Sequence, residues 1–332
     1  MEEEMNIAIL GCGNWGSVFG IIQDKNGHRV KIWEFDKKRA EYVQRTRDNR
    51  PFLLKYKIPD SIMIDWRLEN ILQNSELVVF AVPCQTLGSV LVEIKKAGIK
   101  TKEFLSLIKG IDIKTLQLPA ATIKKTFPES KCFVLSGPSI ANEIIRNEPT
   151  AVVLAGNDLN RAKKLQGELT TENFRIYLSD DMLGVELGGA VKNVLALACG
   201  ISDGLGFGAN AKGALISRGI VEIVRLGLKM GASPKTFYGL SGLGDLVTTS
   251  YSEESRNHLF GRMIGIGRSL NEIKKDFVMV AEGVPTAKAV MKLAKRYNVE
   301  MPISKVVYEI LYKGKSPLQG LKSLMLRPLK NE

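Results

Sequence analysis

The sequence predicts an α/β protein in which a mostly parallel sheet domain is followed by an all-helical domain. Three observations support this. Short apolar runs alternate with amphipathic stretches as far as about residue 181, such runs stop after it, and a glycine-rich turn follows the first run. The chain of 332 residues is long enough for two hydrophobic cores. We therefore predict two domains, at residues 1–181 and 182–332.

The apolar runs of the first half have the length and composition of buried strands. They read MNIAIL, RVKIW, LVVFAV, FLSLI, CFVL and AVVLA, and RIYL at 175–178 is a candidate for one more. The segments between them, such as KKRAEYVQRTR and GSVLVEIKKA, have helical patterning. This alternation is typical of right-handed βαβ units, which build a mostly parallel sheet.

The second half carries helix signals instead. The run NAKGALISRGIVEIVRLGLKMG ends in Gly231, where a helix terminates easily. SLNE at 269–272 is a capping-box pattern, and Pro302 can open the helix KVVYEILYKG. We expect helices only from residue 182 to the end.

The net charge of +12, from 47 basic and 35 acidic residues, suits nucleic acid, anionic lipid or a small anion as a partner. The basic residues are scattered, and no basic arm, helix-turn-helix pattern or aromatic stacking motif accompanies them. We therefore expect no nucleic-acid partner and regard most of these charges as a solvated surface. A non-catalytic nucleotide sensor or nucleic-acid-binding protein remains the alternative from another functional class.

Cysteine and histidine usage argues against a metal site and for a reducing compartment. The cysteines at 12, 84, 132 and 199 are far apart, and the sequence has two histidines, so zinc would find few ligands. The apolar segment 7–22 follows three glutamates, which is the wrong charge for a signal peptide. We expect a cytoplasmic protein without stable membrane insertion and without a metal.

A glycine-rich turn follows the first predicted strand. In GCGNWG, Gly11, Gly13 and Gly16 have GxGxxG spacing and enclose Asn14 and Trp15. The glycines permit a tight turn, close approach of a pyrophosphate, and close packing of the next helix. The free amides of that helix then meet the phosphates. The position of this motif between a strand and a helix predicts a Rossmann-type dinucleotide-binding domain.

The end of the second predicted strand bears on the choice of cofactor. Glu34 and Asp36 lie where an acid meets the adenosine ribose hydroxyls, which favours NAD because it repels a 2′-phosphate. Lys37, Lys38 and Arg39 follow and oppose that preference. We predict NAD or NADP as cofactor, with NAD slightly favoured.

Lys192 lies in GVELGGAVKNVLALACG, a stretch in which most other residues are apolar or small and suited to burial. On a helix its face is shared by residues three and four away, none of them acidic, whereas Glu186 belongs to another face. This lysine either extends to solvent or pairs with a distant carboxylate, or it has a function in a poorly hydrated site. Burial there would lower the pKa of the amine.

These motifs together resemble the soluble NAD(P)-dependent glycerol-3-phosphate dehydrogenases. The matching stretches follow the family's order along nearly the whole chain. They are GCGNWG, IKGI (108–111), SGPSIANE (136–143), the segment 184–219, GLSGLGDLV (239–247), SRN (255–257), AEGVPTAKAV (281–290) and EMPISKVVYEILY (300–312). The resemblance implies an oxidoreductase that interconverts dihydroxyacetone phosphate and sn-glycerol 3-phosphate by hydride transfer, supplying glycerol 3-phosphate for phospholipid synthesis.

The resemblance also implies roles for individual residues. Lys192 matches the acid/base lysine, Lys109 a lysine contacting substrate and cofactor, and Asp245 an aspartate that binds a substrate hydroxyl and orients Lys192. From the residues alone, Lys109 could be a surface lysine and Asp245 a helix N-cap.

Further matches concern binding. The implied substrate-binding residues are Lys109, Gly137, Ser139, Lys192, Asp245, Ser255, Arg256 and Asn257. The implied cofactor-binding residues are Gly11, Gly13, Asn14, Trp15, Gly16, Phe35, Lys109, Ala141, Arg256, Val280 and Glu282. The arginine and its two polar neighbours suit a phosphate monoester, and Pro138 is expected to open a helix whose amides serve the site. A plain helix cap at 136–139 and a surface role for Arg256 are the competing interpretations.

Two departures from the family pattern occur. Asn14 replaces the commoner serine, and Phe35 stands where some NADP-using members have a basic or imidazole side chain, which keeps the cofactor choice open. The family suggests a homodimer acting on a small phosphorylated substrate. The nearest rival is another Rossmann enzyme with a helical domain, acting on a hydroxy acid or a ketopantoate-type substrate. Such a substrate lacks phosphate and would not need Arg256.

Overall fold

The computed structural model describes residues 4–98, 100–276, 280–329 and 331, and the chain divides into two compact units. The first comprises Met1–Ile108 and Gln117–Glu186, and the second Lys109–Leu116 and Leu187–Glu332. These units differ from the predicted ranges 1–181 and 182–332, because 109–116 groups with the second unit and 182–186 with the first. The predicted boundary between two functional domains at residues 181 and 182 stays a prediction.

The first unit is built on a sheet whose described residues form eight strands. They are β1 (Asn6–Leu10), β2 (Arg29–Trp33), β3 (Met63–Asp65), β4 (Leu77–Phe80), β5 (Glu103–Ser106), β6 (Lys131–Ser136), β7 (Thr150–Gly156) and β8 (Phe174–Ser179). Their order is β3-β2-β1-β4-β5-β6-β7-β8. Neighbours pair in parallel except β6 and β7, which are antiparallel. The mostly parallel sheet and the additional strand at RIYL are confirmed.

Helices of the first unit pack on this sheet. They are α1 (Asn14–Lys25), α2 (Lys37–Thr46), α3 (Leu68–Leu72), α4 (Leu87–Lys96), α5 (Pro119–Thr126), α6 (Ala141–Ile145) and α7 (Leu159–Leu169). The central strands are apolar along their length because both faces are covered, and β4 is buried at all four positions. Strand β3 was not predicted from the sequence, since three residues are too few to show a periodicity.

The second unit contributes helices, and the described residues beyond 181 contain no strand, as expected. The helices are α8 (Met182–Gly204), α9 (Ala209–Met230), α10 (Pro234–Phe237), α11 (Asp245–Tyr251), α12 (Arg256–Gly265), α13 (Leu270–Asp276), α14 (Gly283–Tyr297), α15 (Pro302–Lys313) and α16 (Pro317–Met325). A π-helical segment, Leu240–Gly244, leads into α11.

The predicted helix signals are confirmed. Gly231 follows α9 with a φ of 95°, a left-handed conformation that glycine adopts without steric cost. Ser269 and Glu272 exchange hydrogen bonds at the start of α13 as a capping box. Pro302 is the first residue of α15, where its missing N–H costs nothing.

Close glycine contacts fix α12 against α8. A Cβ on Gly200 of α8 would collide with the carbonyl oxygen of His258, and one on Gly261 of α12 would collide with that of Leu197. The two backbones therefore touch without intervening side chains. The contact holds the amino-terminal turn of α12 beside the helix that carries Lys192.

Helix α8 has 23 residues and a mean hydropathy of 1.4 over its most apolar window, enough for a membrane span by length and composition. However, 89% of that window is buried within the protein. Core helices of folded proteins have the same length and composition, so α8 is no argument for membrane insertion.

Candidate active site

The glycine turn of the first unit leaves room for a ligand at one of its three glycines. Gly11 has a φ of 121°, and a Cβ there would lie 2.6 Å from the carbonyl oxygen of Ala81. A Cβ on Gly16 would collide with the carbonyl oxygen of Gly11. At Gly13, in contrast, an added Cβ meets nothing within 4 Å. Gly11 and Gly16 thus serve the packing of the turn, whereas Gly13 borders open space.

The start of α1 carries polar groups that lack a protein partner. Gly13 is its N-cap residue and provides no side-chain cap. Among the described residues, neither Asn14 Oδ1 nor Trp15 Nε1 has a hydrogen-bond partner, although both atoms are buried. A buried polar atom without a partner costs about 1–3 kcal/mol. Together with the positive end of the helix dipole, these atoms fit the phosphates and polar edges of a dinucleotide.

The acids after β2 are engaged within the protein. One carboxylate oxygen of Glu34 accepts from the Asp36 amide at 3.2 Å, and the other pairs with Arg39. Burial raises the pKa of Glu34, and the Arg39 charge opposes that rise. Asp36 caps α2 by accepting from the Arg39 amide at 2.7 Å. The argument that an acid here selects NAD is therefore weaker than the sequence suggested, and Phe35 is 78% exposed.

Arg39 connects this region to the glycine turn. Its guanidinium donates to the Cys12 carbonyl at 3.2 Å and pairs with the Asn49 side chain. It also lies over the Phe52 ring, 4.7 Å from the centroid. Because Cys12 belongs to the GCGNWG turn, Arg39 helps to fix the turn's conformation.

The segment after β6 contains the predicted residues Gly137, Ser139 and Ala141. Gly137 has a φ of 133°, and Ser139 Oγ donates to the Gly137 carbonyl at 2.9 Å. Ser136 Oγ is buried, with no hydrogen-bond partner among the described residues. The expectation that Pro138 opens a helix is wrong. The helix α6 begins three residues later, at Ala141, because the chain bends at Gly137, where φ is positive.

The second unit assembles the three predicted catalytic side chains, Lys192, Asp245 and Lys109, which we call the lysine cluster. Lys192 Nζ lies 2.9 Å from Asp245 Oδ1, and Lys109 Nζ lies 2.6 Å from Asp245 Oδ2. The exposed fractions of these side chains are 6% for Lys192, 2% for Asp245 and 15% for Lys109. One buried carboxylate thus holds two ammonium groups, and the partner of Lys192 is distant in sequence.

Burial sets the protonation of this cluster. It lowers the pKa of Lys192 to about 8, reinforced by the positive charges of Lys109 and Arg256 and opposed by Asp245. For Asp245, burial alone would raise the pKa, but the two lysines outweigh it and keep the pKa below its usual value. The carboxylate is therefore ionised near neutral pH, whereas Lys192 can gain or lose a proton there.

Thr249 is a member of the site that the sequence analysis did not identify. Its hydroxyl accepts from Lys192 Nζ at 2.5 Å and lies 3.2 Å from Asp245 Oδ1. Asp245 and Thr249 are four residues apart on α11, so their side chains share a face. That spacing was available in the sequence as a signal.

Asn193, also not identified from the sequence, links Asn257 to the lysine cluster. Asn193 Nδ2 donates to the Lys109 carbonyl at 3.0 Å, and Asn257 Nδ2 donates to Asn193 Oδ1 at 2.8 Å. Asn257 Oδ1 in turn accepts from the Gly283 amide at 2.8 Å. This network holds α12 and the start of α14 in register with the helix that carries Lys192.

The second unit also contains the predicted residues Ser255, Arg256, Val280 and Glu282. Ser255 caps α12, accepting from the His258 amide at 3.2 Å. Burial lowers the pKa of Arg256, and the Glu282 carboxylate opposes that shift. Val280 is 44% exposed. Lys109, Lys192 and Arg256 carry three positive charges against Asp245 and Glu282, an excess of one that favours an anionic ligand.

Within the described residues, no group of three or more His, Cys, Asp or Glu side chains could hold a metal ion.

Comparisons with known proteins agree for both parts of the chain. Residues 6–162 match a family model described as the NAD-dependent glycerol-3-phosphate dehydrogenase N-terminus, and residues 181–322 match the corresponding C-terminus. The chain is 43% identical over 328 residues to glycerol-3-phosphate dehydrogenase (NAD(P)+) of Thermoanaerobacter sp. (strain X514), covering 99% of each chain. It is 40% identical to that of Geobacillus kaustophilus, covering 98% of this chain and 96% of the relative.

A solved structure shares the whole fold. The crystal structure of glycerol-3-phosphate dehydrogenase from Coxiella burnetii has a TM-score of 0.94 and 35% sequence identity, over 98% of this chain and 99% of that one. Agreement at this level along the full length decides against the ketopantoate-type alternative.

Proposed function

The chain belongs to the NAD-dependent glycerol-3-phosphate dehydrogenase family, and from this premise we propose that the lysine cluster carries the chemistry. The enzyme interconverts dihydroxyacetone phosphate and sn-glycerol 3-phosphate with NAD(P)H. The observation that supports the proposal most directly is the buried Lys192, held by Asp245, with its pKa lowered to about 8.

In the direction of reduction, the C2 carbonyl oxygen gains negative charge and needs a proton. The Lys192 ammonium donates it from Nζ, and in the reverse direction neutral Lys192 accepts the proton of the alcohol. A nicotinamide cofactor, when bound, would supply or receive the hydride at C2. Asp245 orients Lys192 and accepts a hydrogen bond from a substrate hydroxyl. Lys109 keeps the Asp245 carboxylate ionised and polarises the substrate carbonyl.

Arg256 is proposed as the phosphate anchor, because a guanidinium offers a planar pair of donors to a phosphate. Ser255 and Asn257 flank it as neutral donors and also hold α12 in place. Gly137 and Ser139 are proposed as further substrate contacts.

The glycine turn is proposed to bind the dinucleotide through the amides of α1, with Asn14 and Trp15 as polar contacts. We extend the proposal to the other residues expected to contact the cofactor. These are Gly11, Gly13, Gly16, Phe35, Lys109, Ala141, Arg256, Val280 and Glu282.

We also propose a cytoplasmic homodimer that supplies glycerol 3-phosphate for phospholipid synthesis. The four cysteines are buried thiols, which is compatible with a reducing compartment. The homodimer and the supply of phospholipid precursor rest on the family alone.

The assigned role of Lys192 is tested by steady-state kinetics with dihydroxyacetone phosphate and either NADH or NADPH. For Lys192→Ala we expect kcat to fall by about 10³-fold or more, because the reaction loses its proton donor, while cofactor binding measured by fluorescence is retained. Lys229→Ala, an exposed lysine on α9, is the matched control and should keep full activity. A Lys192→Ala enzyme with near-normal kcat would contradict the role.

A further inference from the structure

Asn49, in the loop between α2 and β3, is a polar side chain with an exposed fraction of 0%. Its Nδ2 donates to the Cys12 carbonyl at 3.2 Å and to the Ser17 hydroxyl at 2.8 Å. Its Oδ1 accepts from the Arg39 guanidinium. A buried amide is costly unless its polar atoms have partners, and here both hydrogens of Nδ2 and the oxygen are engaged. Asn49 is therefore held in one orientation beside the glycine turn.

The carbonyl of Cys12, within that turn, accepts two hydrogen bonds from elsewhere in the first unit. One comes from Asn49 Nδ2 and the other from Arg39 Nη2, both at 3.2 Å. Arg39 is itself anchored, because its other terminal nitrogen pairs with the Glu34 carboxylate. Both donors have further partners, so neither can follow the carbonyl if the turn moves. The direction of the carbonyl is thus set by residues 27 and 37 positions further along the chain.

The direction of this carbonyl determines the direction of the Gly13 N–H, because the two groups belong to one peptide unit. That peptide is trans, and in a planar trans peptide the C=O and N–H bonds point in opposite directions. Since the carbonyl points toward Asn49 and Arg39, the Gly13 N–H points away from them. Gly13 also borders open space, as a Cβ there would meet nothing within 4 Å.

The Gly13 N–H is available to a ligand. It donates to no acceptor among the described residues. The residue immediately precedes α1, whose first amides also lack intrahelical acceptors. An amide whose direction is fixed before the ligand arrives loses less conformational freedom on binding than one in a mobile turn. The contacts of Asn49 therefore bear on how tightly the turn holds a phosphate group.

We propose that Asn49 is a positioning residue for the dinucleotide and acts through the Cys12–Gly13 peptide, whose N–H it directs toward the pyrophosphate. This inference rests on the proposed binding of the dinucleotide at the glycine turn. Arg39 supports the same carbonyl from its other donor position. Loss of the Asn49 amide leaves the carbonyl with one of its two donors, so the peptide gains freedom to rotate.

A merely structural role of Asn49 predicts a different outcome. The bond to Ser17 also ties the loop to α1, so any substitution of Asn49 lowers the free energy of unfolding. A loss of stability by itself leaves the affinity of the folded enzyme for its ligands unchanged. A misdirected Gly13 N–H, in contrast, weakens every ligand that carries the pyrophosphate.

Isothermal titration calorimetry of the full-length enzyme with NADH and with ADP-ribose tests the proposal. Asn49→Leu keeps the approximate shape of the side chain and removes both donors. We expect the Kd for NADH to rise about tenfold, the equivalent of one hydrogen bond. The Kd for ADP-ribose should rise by the same factor, because this ligand has the pyrophosphate and lacks the nicotinamide. At saturating NADH, kcat and the KM for dihydroxyacetone phosphate should stay within about twofold of the unmodified enzyme.

Gln23→Met is the matched control. Gln23 lies near the far end of α1, has an exposed fraction of 0%, and donates from its amide to the Leu169 carbonyl at 3.0 Å. This variant loses a buried amide of the same unit away from the turn, so it should melt at a lower temperature and keep both Kd values. Where Asn49→Leu fails to fold, Asn49→Asp tests the same point. Its carboxylate keeps an acceptor for Arg39 but has no N–H for the Cys12 carbonyl, so binding of both ligands should again weaken about tenfold.

Three results would overturn the proposal while leaving the dinucleotide site intact. The first is a Kd within about twofold of the unmodified enzyme in the Asn49 variants. The second is an equal loss of affinity in Gln23→Met, which would make general stability responsible. The third is a loss confined to NADH, which would place the effect at the nicotinamide end. An unmodified enzyme that bound neither ligand would instead refute the proposed dinucleotide site, and this inference with it.

Discussion

The glycine turn and the lysine cluster both suit ligand binding, but one relies on the backbone and the other on side chains. The turn uses consecutive residues and backbone geometry, and its glycines matter for the side chain they lack. The cluster uses side chains far apart in sequence: Lys109 and Asp245 are separated by 136 positions, and Lys192 and Thr249 by 57. A backbone site can thus be encoded within six residues, whereas a side-chain site needs the tertiary fold to assemble it.

After the loss of Lys192 itself, the largest effect on the cluster should come from removing the carboxylate that joins its two lysines. Asp245→Asn removes the carboxylate charge that pairs with the buried Lys192 and the partly buried Lys109, a loss of about 3–5 kcal/mol. We expect kcat to fall by about 10²–10³-fold, with a lower melting temperature. The exposed Asp180→Asn is the control for the chemical change. Near-normal turnover in Asp245→Asn would show that the lysines do not depend on this residue.

The glycine turn can be tested at two positions with different physical roles. Gly16→Ala forces a Cβ against the Gly11 carbonyl, so we expect cofactor binding to weaken about 10²-fold together with a loss of stability. At Gly13 a Cβ meets no protein atom, so Gly13→Ala should weaken cofactor binding while thermal stability stays unchanged. Fluorescence titration and thermal melts measure both. Equal loss of stability in the two variants would remove the distinction between packing and ligand space.

Thr249 should make a smaller contribution to the cluster. Thr249→Val removes a hydroxyl that contacts Lys192 and Asp245 while keeping the shape of the side chain. We expect a decrease in kcat of about tenfold, equivalent to one neutral-to-charged hydrogen bond. Thr249→Ser keeps the hydroxyl and should recover most of the activity. If Thr249→Ser were as impaired as Thr249→Val, the methyl group rather than the hydroxyl would be responsible.

Glu186, a buried acid that is paired with no cation among the described residues, provides the complement to Asp245. Burial raises the pKa of Glu186 to about 8. The Ala120 amide donates a hydrogen bond to the Glu186 carboxylate at 2.9 Å and opposes that rise, with a smaller effect. Since the folded state favours the protonated carboxyl, the stability from this group is complete below pH of about 4.5. It is lost as the pH rises through about 8.

Glu186→Gln should therefore match the unmodified protein near pH 5 and become more stable than it by about 2–4 kcal/mol at pH 9. Urea denaturation across this range measures the difference. A difference that did not change with pH would mean that Glu186 remains ionised throughout. Asp245 is also buried, but the two lysines lower its pKa. Comparison of Glu186 with Asp245 therefore isolates the effect of a counter-charge on the pKa of a buried acid.

Much of the fold followed from local sequence. The alternation of apolar runs predicted the parallel sheet, and Gly231, Ser269 and Pro302 marked helix ends that the structure contains. Predictions were wrong or incomplete where local signals were short or ambiguous. The strand β3 has three residues, and Pro138 lies next to Gly137, where the chain forms a bend with positive φ rather than a helix.

The sequence by itself determined that a strand, a glycine turn and a helix meet in order, because steric freedom of the backbone is a local property. It also marked Lys192 as a cation in an apolar helix. Only the tertiary structure decided that Asp245 and Thr249 surround that amine, that Asn193 connects it to α12, and that Glu34 is engaged by Arg39. Charge and hydrogen bonding act over a few ångströms of space, and the fold alone brings distant residues within that range.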